Sequence, residues 1–298
     1  MGDNESTLFL RNFTCIDHAY IDDTGRVQGG SYHQHVRVTG RVDGHEQVVV
    51  DFSKVKKQMK AVIDDNDTGF DHKLWIIEGY SHVLSISQPT STGRVIVETP
   101  HVEFIVPQDA IKIIPNRNMR WLLAVERQME EELMAALNTA NPYANIEVEV
   151  KLTEETFGTD PQVFTYWHGL KNSSSWGCNN LGHGHRSFVE CYDDQKQRVP
   201  LAEEFIAKQL GGKLLVWDDN IESVVDGWMM IAYTTKRGSF QLRFKQATVP
   251  HLIMGTETTV ENIVRYAVDN WSTFLRFLGV HEVFISEGLQ KGAVQKVW

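Results

Sequence analysis

The chain has 298 residues, of which 42% are hydrophobic and 23% charged, the balance of an ordinary globular protein. This length allows two domains of ordinary size or one large one. The formal net charge of -10 argues against a general affinity for nucleic acid or anionic membranes. Neither a long apolar run nor an N-terminal signal segment is present, so we expect a cytoplasmic protein without membrane contact. The odd number of cysteines (Cys15, Cys178 and Cys191) indicates free thiols rather than a disulfide framework.

The first half of the chain predicts two strands, a helix, further strand-like sequence, a long helix and a closing strand. Residues 8–13 lead as a strand toward His18, and residues 36–42 alternate in the manner of a half-buried strand. Helices are predicted from Ser53 to Ile63 and from about Asn118 to Leu137.

The second half repeats the same order of elements. A strand over residues 163–167 leads into His168, and a helix is predicted from Leu201 to Leu210. The last helix has Thr258 or Thr259 as its expected cap and Gly279 as its stop. We therefore predict two tandem domains, residues 1–158 and 159–298.

Both halves also carry extra strand-like sequence before their last helix, around Ser81–Ile114 and Trp228–Ile253. Such matched insertions suggest that an already extended ancestor was duplicated. They could cover a functional site or mediate assembly, and their residues suggest no chemistry.

Three histidines recur in both halves at one constant offset along the chain. They are His18, His33 and His35 in the first half, and His168, His183 and His185 in the second. Because residues i and i+2 of a strand point to the same face, a His-x-His pair aims two imidazoles at one point. A third histidine from a neighbouring strand completes a three-nitrogen site with one open position, the catalytic type of zinc site. Unrelated core or surface histidines are the alternative, and the repetition favours a metal site in each half.

Cys178 lies five residues before His183. Near a divalent cation its thiol would ionise more easily and could act as a base or nucleophile. The alternatives are an inert buried thiol or a fourth metal ligand. The same offset places Gln28 in the first half, and an amide cannot take a proton in this way, so the two sites are expected to be chemically unequal.

Together these residues resemble the 6-pyruvoyltetrahydropterin synthase family, which includes 6-carboxytetrahydropterin synthase. The segment Cys178–His185 is close to the family's cysteine and His-Gly-His signature. The first half adds Asp71-His72 within Phe70–Trp75, and the second half adds the helix start Thr259–Val264 and the strand Val283–Glu287. The cysteine with His-Gly-His is the specific part of the match, and the landmarks together span most of the chain.

The resemblance implies an α+β fold of two tandem tunnelling-fold (T-fold) domains. Each such domain is an antiparallel four-stranded sheet with two helices on one face, and the domains assemble through their sheets into barrels. Because exposed sheet edges favour association, we expect a homo-oligomer, most simply a closed trimer of tandem chains.

The resemblance also implies a zinc-dependent carbon–oxygen lyase that converts 7,8-dihydroneopterin triphosphate with loss of triphosphate. The product is a 6-carboxy or a 6-pyruvoyl tetrahydropterin, in deazaguanine (queuosine or preQ0 type) or pterin biosynthesis. A glutamate holds the pterin ring, and its expected positions are Glu287 in the second half and Glu155, in preference to Glu154, in the first. A non-catalytic zinc-containing protein of the same fold, with a pterin-binding, purine-binding or assembly role, is the alternative.

Neither half carries the complete set of catalytic residues. The first half keeps Asp71-His72 but lacks the cysteine, whereas the second keeps Cys178 but has Trp217–Asn220 where the Asp-His pair is expected. We therefore predict a composite site. It would combine zinc on His168, His183 and His185 with Cys178 of the second half and with Asp71-His72 of a first-half domain.

Overall fold

The computed structural model describes residues 4–79, 82–155 and 162–298. The predicted domain boundary between residues 158 and 159 lies outside these ranges. In the described part of the chain, no helix is long and apolar enough to cross a membrane.

The first half forms a mixed sheet with two helices packed on it. Its elements are β1 (Glu5–Leu10), β2 (Cys15–Ile21), β3 (Val27–Arg41), α1 (Phe52–Ile63), β4 (Leu74–Ile77), β5 (Ser85–Ile86), β6 (Arg94–Glu98), β7 (Val102–Pro107), β8 (Ile111–Ile114), α2 (Trp121–Ala140) and β9 (Glu147–Thr153). Strands β9, β3, β2, β4 and β8 lie side by side in that order, and β1 also pairs with β3. The core beneath α1 and α2 joins residues such as Met59, Leu133 and Val36.

The second half repeats this topology. Its elements are β10 (Gln162–His168), β11 (His183–Tyr192), α3 (Pro200–Leu210), β12 (Lys213–Trp217), β13 (Ile221–Val225), β14 (Trp228–Thr235), β15 (Gly238–Lys245), β16 (His251–Met254), α4 (Val260–Phe277), β17 (Glu282–Ser286) and β18 (Gly292–Lys296). Strands β10, β11, β17 and β18 form the predicted antiparallel four-stranded sheet, which β12 and β16 extend in the parallel sense. The α+β tandem fold is thus confirmed, with parallel strands added to each sheet.

The predicted start and stop of the last helix are confirmed. The Thr259 hydroxyl accepts a hydrogen bond from the backbone N–H of Asn262 at 3.4 Å, so Thr259 rather than Thr258 is the cap. Beyond the helix, Gly279 adopts a φ of +76°, the left-handed conformation that glycine adopts at little cost.

The two insertions pair with each other and form a third sheet, in the order β13, β14, β15, β7, β6 and β5. Strands β15 and β7 join the halves, with Leu242 opposite Phe104. The apolar side chains of this third sheet pack in one core with residues from the other two sheets. The latter residues lie on the sheet faces opposite the helices, and they include Ala19, Leu74, Trp167 and Leu214. The insertions therefore tie the two halves together.

The backbones of the two halves also touch directly. A Cβ atom on Gly29 would lie 1.9 Å from the carbonyl oxygen of Tyr166, and one on Gly184 would lie 2.7 Å from the Cα of Gly29. Only glycine allows this approach. The residues predicted for the composite site lie along this seam.

Candidate active site between the two halves

Three buried histidines of the second half converge on one point. The register of β10 and β11 pairs His168 with His183 and Tyr166 with His185, so all three imidazoles lie on one face. Each residue offers a ring nitrogen, and these nitrogens lie within 4.8 Å of one another. The three side chains are almost completely buried.

The other ring nitrogen of each histidine faces an oxygen atom. His183 Nδ1 donates to the carbonyl oxygen of Asn180 at 2.6 Å, and His168 Nδ1 lies 2.9 Å from the Thr258 hydroxyl. His185 Nδ1 lies 3.3 Å from Oδ1 of Asp17, a residue of the first half. Such contacts orient metal-ligating histidines in zinc proteins.

The three Nε2 atoms have the properties of metal ligands. Each is buried and has no hydrogen-bond partner among the described residues, which would be costly for a group with no other use. Burial, with neighbouring histidines, lowers the pKa of His168 and His183 well below the usual value, so their rings are neutral and their lone pairs available. Three imidazole nitrogens that converge on one point, as these do, fit the three-histidine ligand set of a zinc ion.

The Asp-His pair of the first half reaches this cluster. Asp71 Oδ2 lies 2.7 Å from His72 Nδ1, while Asp71 Oδ1 accepts a hydrogen bond from the backbone N–H of Asp17 at 2.9 Å. His72 has a φ of 54°, in the left-handed region that few residues other than glycine adopt. The second half stabilises it, because the side-chain amide of Asn180 donates to the carbonyl oxygen of His72 at 2.9 Å.

Cys178 of the second half completes the group. Its sulfur and ring nitrogens of His72 and His183 lie within 4.8 Å of one another. The preceding glycine makes this possible, because a Cβ on Gly177 would lie 2.7 Å from the Cβ and Cγ of His72. Residues from both halves of one chain therefore surround one point.

The electrostatics favour an ionised thiol beside a charged imidazole. Burial opposes the charge on His72, but the carboxylate of Asp71 and the contact with Cys178 outweigh it and raise the pKa of His72 well above its usual value. Burial likewise opposes the thiolate, yet the hydrogen bond and charge of His72 lower the pKa of Cys178 below the usual 9.0. The pair can therefore hold and exchange a proton.

Asp17 is a buried carboxylate of this site that the sequence interpretation missed. Besides the contact with His185, it accepts a hydrogen bond from the Ser31 hydroxyl, and Lys291 Nζ lies 3.6 Å away. Burial opposes its charge, but the contact with His185 and the nearby His72 and Lys291 hold the pKa of Asp17 well below its usual value. The one available signal was a carboxylate between Ile16 and His18 in a strand whose residues are otherwise uncharged or weakly polar.

Glu287, the predicted pterin-binding residue of the second half, lies beside Asp17. Its carboxylate is 3.7 Å from Lys291 Nζ, and its backbone N–H donates to the carbonyl oxygen of Lys291. The turn between these residues packs so closely that a Cβ on Gly288 would collide with the carboxylate of Asp17. The side chain of Glu287 is thus placed at the edge of the same site.

The predicted metal site of the first half is wrong. The register of β2 and β3 pairs His18 with Gly30, so His33 and His35 lie on the opposite face of the sheet. His18 is buried and stacked on Trp75, with ring centroids 3.6 Å apart, whereas His35 Nε2 lies 2.7 Å from the Thr153 hydroxyl. The three rings therefore cannot bind one ion.

The first-half counterparts of His168, His183 and His185 are not histidines. The backbone N–H of His72 donates to the carbonyl oxygen of Asp17 in β2, and the backbone N–H of Gly212 donates to the carbonyl oxygen of Thr165 in β10. These two hydrogen bonds occupy the same place in the two halves, so Asp17 corresponds to Thr165. With the strand registers, this alignment gives the first-half residues that correspond to His168, His183 and His185. They are Tyr20, Gln28 and Gly30. The equal spacing of the histidines in the sequence is thus a coincidence.

Two further interpretations are corrected by the same alignment. The residues that correspond to Asp71-His72 are Gly211-Gly212, and not the acidic Asp218-Asp219, which lies beyond β12. The registers of β9 and β17 make Glu154, rather than Glu155, the counterpart of Glu287. The carboxylate of Glu154 contacts Arg186 at 3.1 Å, while Glu155 Oε2 is buried and has no hydrogen-bond partner in the described part of the chain.

Comparison with solved structures gives similarity to 6-pyruvoyltetrahydropterin synthases. A crystal structure of the Plasmodium vivax enzyme is 22% identical and covers 53% of this chain and 95% of its own, with a TM-score of 0.36. A Plasmodium falciparum structure is 17% identical and covers 50% of this chain and 96% of its own, also with a TM-score of 0.36. A catalytic-residue mutant of the Plasmodium vivax enzyme is 22% identical and covers 50% of this chain and 92% of its own, with a TM-score of 0.35. The sequence matches no protein-family model and no curated protein.

Proposed function

We propose that this chain is a zinc-dependent lyase of the 6-pyruvoyl- or 6-carboxytetrahydropterin synthase type. It would act on 7,8-dihydroneopterin triphosphate, with one active site per chain. The observation that carries the proposal is the meeting of Asp71-His72 from the first half with Cys178 and the histidine cluster of the second. The first half supplies the Asp-His pair, and the second half supplies the thiol and the histidine cluster. These groups lie side by side where the two halves meet.

The metal would be held by Nε2 of His168, His183 and His185. When bound, it would polarise the hydroxyl groups of the substrate side chain and make the neighbouring C–H bonds more acidic. Cys178, as thiolate, accepts a proton from the substrate side chain. His72 holds the proton that leaves the thiol and returns it where the product needs one.

Asp71 keeps the ring of His72 in a single orientation and stabilises its charged form, because Oδ2 accepts the Nδ1 proton. The Nε2 side of His72 therefore remains directed toward the thiol. Glu287 is the residue proposed to bind the pterin ring, since a carboxylate can accept two hydrogen bonds from a guanine-like N–H edge. Lys291 beside it balances its charge.

The first test is incubation of the zinc-loaded protein with dihydroneopterin triphosphate, read by mass spectrometry. A pyruvoyl product, or a carboxy product with acetaldehyde, identifies the branch of the family. His72→Ala and Cys178→Ala should each abolish turnover while leaving the metal bound. His35→Ala is the matched control, because His35 lies outside the cluster, and it should keep both turnover and metal.

A metal count distinguishes the proposal from its alternatives. We expect one zinc per chain, lost in His185→Ala and kept in His33→Ala. Bound zinc without any product from the wild-type protein would refute the lyase and favour a pterin-binding or purine-binding protein. Two zinc ions per chain would contradict the assignment of a single site.

A further inference from the structure

The hairpin β14–β15 of the second insertion contacts the loop that carries Cys178. We call residues 169–182 the thiol loop. The Tyr233 hydroxyl donates to the carbonyl oxygen of Asn179 at 2.9 Å, and Arg237 Nη1 donates to the carbonyl oxygen of Trp176 at 3.1 Å. These two carbonyl groups flank Cys178 on either side. The hairpin therefore fixes the backbone of the loop at both sides of the thiol.

Arg237 is in turn anchored to the first half. Its Nε donates to the carboxylate of Asp109 at 2.9 Å, and its Nη2 donates to the backbone carbonyl of Asp109 at 2.6 Å. Its side chain is 1% exposed. Burying a guanidinium costs free energy unless hydrogen bonds compensate for the lost water. Arg237 makes such bonds to both Asp109 and Trp176, so its side chain links the first half to the thiol loop.

Asp109 belongs to the same short turn that positions the segment of His72. Lys73, which follows His72, donates its Nζ to the carbonyl oxygen of Asp109. The side-chain amide of Asn180 in the thiol loop donates both to the Ala110 carbonyl at 2.7 Å and to that of His72. One network of buried hydrogen bonds thus connects the hairpin, the thiol loop and His72.

We propose that the inserted hairpin sets the position of Cys178 relative to His72, with Arg237 and Tyr233 as positioning residues. The inference rests on the proposed function, in which these two side chains exchange a proton. The insertion is thereby a part of the catalytic apparatus and not only a connection between the halves. Because misplacing a reacting group by about 1 Å can cost ~10²-fold in rate, a loosened loop would affect turnover more than binding.

The experiment compares Arg237→Gln and Tyr233→Phe with two controls in the zinc-loaded full chain. Arg243→Gln removes an exposed arginine from the same hairpin, and Tyr266→Phe removes a hydroxyl far from the loop. Hydrogen exchange of the thiol-loop amides, the rate at which iodoacetamide alkylates Cys178, metal content, kcat and KM are measured. Peptide mass spectrometry distinguishes this cysteine from the other two.

We expect roughly tenfold faster exchange confined to the thiol loop in both test variants, and a changed alkylation rate. The value of kcat should fall by ~10- to 100-fold with KM and metal content nearly unchanged. Arg237→Lys should restore part of the loss, and both controls should match the wild type.

Wild-type exchange in the thiol loop of Arg237→Gln and Tyr233→Phe would overturn the inference. If Arg237→Gln fails to fold, Tyr233→Phe decides, because it removes a single oxygen atom. Should the wild-type protein make no product, the exchange and alkylation data still test the positioning role. The failure of the lyase proposal is therefore distinguishable from the failure of this one.

Discussion

The contact between Asp17 and His185 predicts that a carboxylate of the first half strengthens metal binding by the second. Asp17 is 3% exposed, and its Oδ1 lies 3.3 Å from His185 Nδ1. Removing a carboxylate that contacts a ligating histidine typically weakens metal affinity by about 10- to 100-fold. This range corresponds to ~1.4 to 2.7 kcal/mol of binding free energy. Asp17→Asn keeps the shape of the side chain and can still accept the hydrogen bond from Ser31, so we expect the loss to fall in this range.

The assay is competition for zinc between the protein and a chromophoric chelator of known affinity at constant pH. Asp43→Asn, which changes a carboxylate in an exposed loop, is the matched control for net charge and should bind zinc like the wild type. Unchanged affinity in Asp17→Asn, with thermal unfolding also unchanged, would refute the cross-half orientation of His185.

Three other predictions follow from the geometry. Gly177→Ala should lower kcat by ~tenfold or more while the protein remains folded by circular dichroism, because the added methyl group displaces the ring of His72. The value of kcat/KM should rise as the pH passes the lowered pKa of Cys178 and should fall only above the raised pKa of His72. Between these two pKa values the thiolate and the imidazolium are present together. In His72→Gln, which should be inactive like His72→Ala, alkylation of Cys178 by iodoacetamide should begin at higher pH, nearer the range of an ordinary thiol, and an unmoved alkylation profile would contradict the pairing. Thr259→Ala should cost about 1 kcal/mol in urea unfolding through the loss of the cap on Asn262, and no change would show that the 3.4 Å bond contributes nothing.

Local patterns in the sequence were sufficient for the helices and for the histidine cluster of the second half. Helix α4 has its cap, apolar face and glycine stop within one segment, so its prediction needed no long-range information. His183 and His185 share a strand face for the same local reason. His168 is adjacent because β10 and β11 pair with His168 opposite His183, although residues 169–182 separate the two strands in the chain. The convergence of Asp71-His72 with Cys178 was predicted from the complementary losses in the two halves.

Strand register was what the sequence could not supply. In the first half, His18 pairs with Gly30, and an odd shift in register moves His33 and His35 to the other face. Equal spacing along the chain says nothing about this shift, because the connections between strands differ in length. The sequence spacing aligns His18, His33 and His35 with the second-half histidines, whereas the strand registers align Tyr20, Gln28 and Gly30 with them.

The third sheet and the role of Asp17 depend on contacts between the two halves. Nothing in the insertion sequences indicates that β15 pairs with β7, since edge strands of similar character could pair in several ways. The position of Asp17 beside His185 depends in turn on the close approach of Gly29 and Gly184. Both features follow from how the halves pack and not from either half alone.

The central claim is that one chain supplies the whole active site. Complementation between two inactive variants tests this claim most directly. His72→Ala and Cys178→Ala chains are produced separately and together, and turnover of dihydroneopterin triphosphate is compared with that of the wild type. A site made within one chain predicts an active wild type, two inactive variants and an inactive mixture, because every chain in the mixture carries a defect. Recovery of activity in the co-produced mixture would contradict the claim and place the Asp-His pair and the thiol on different chains.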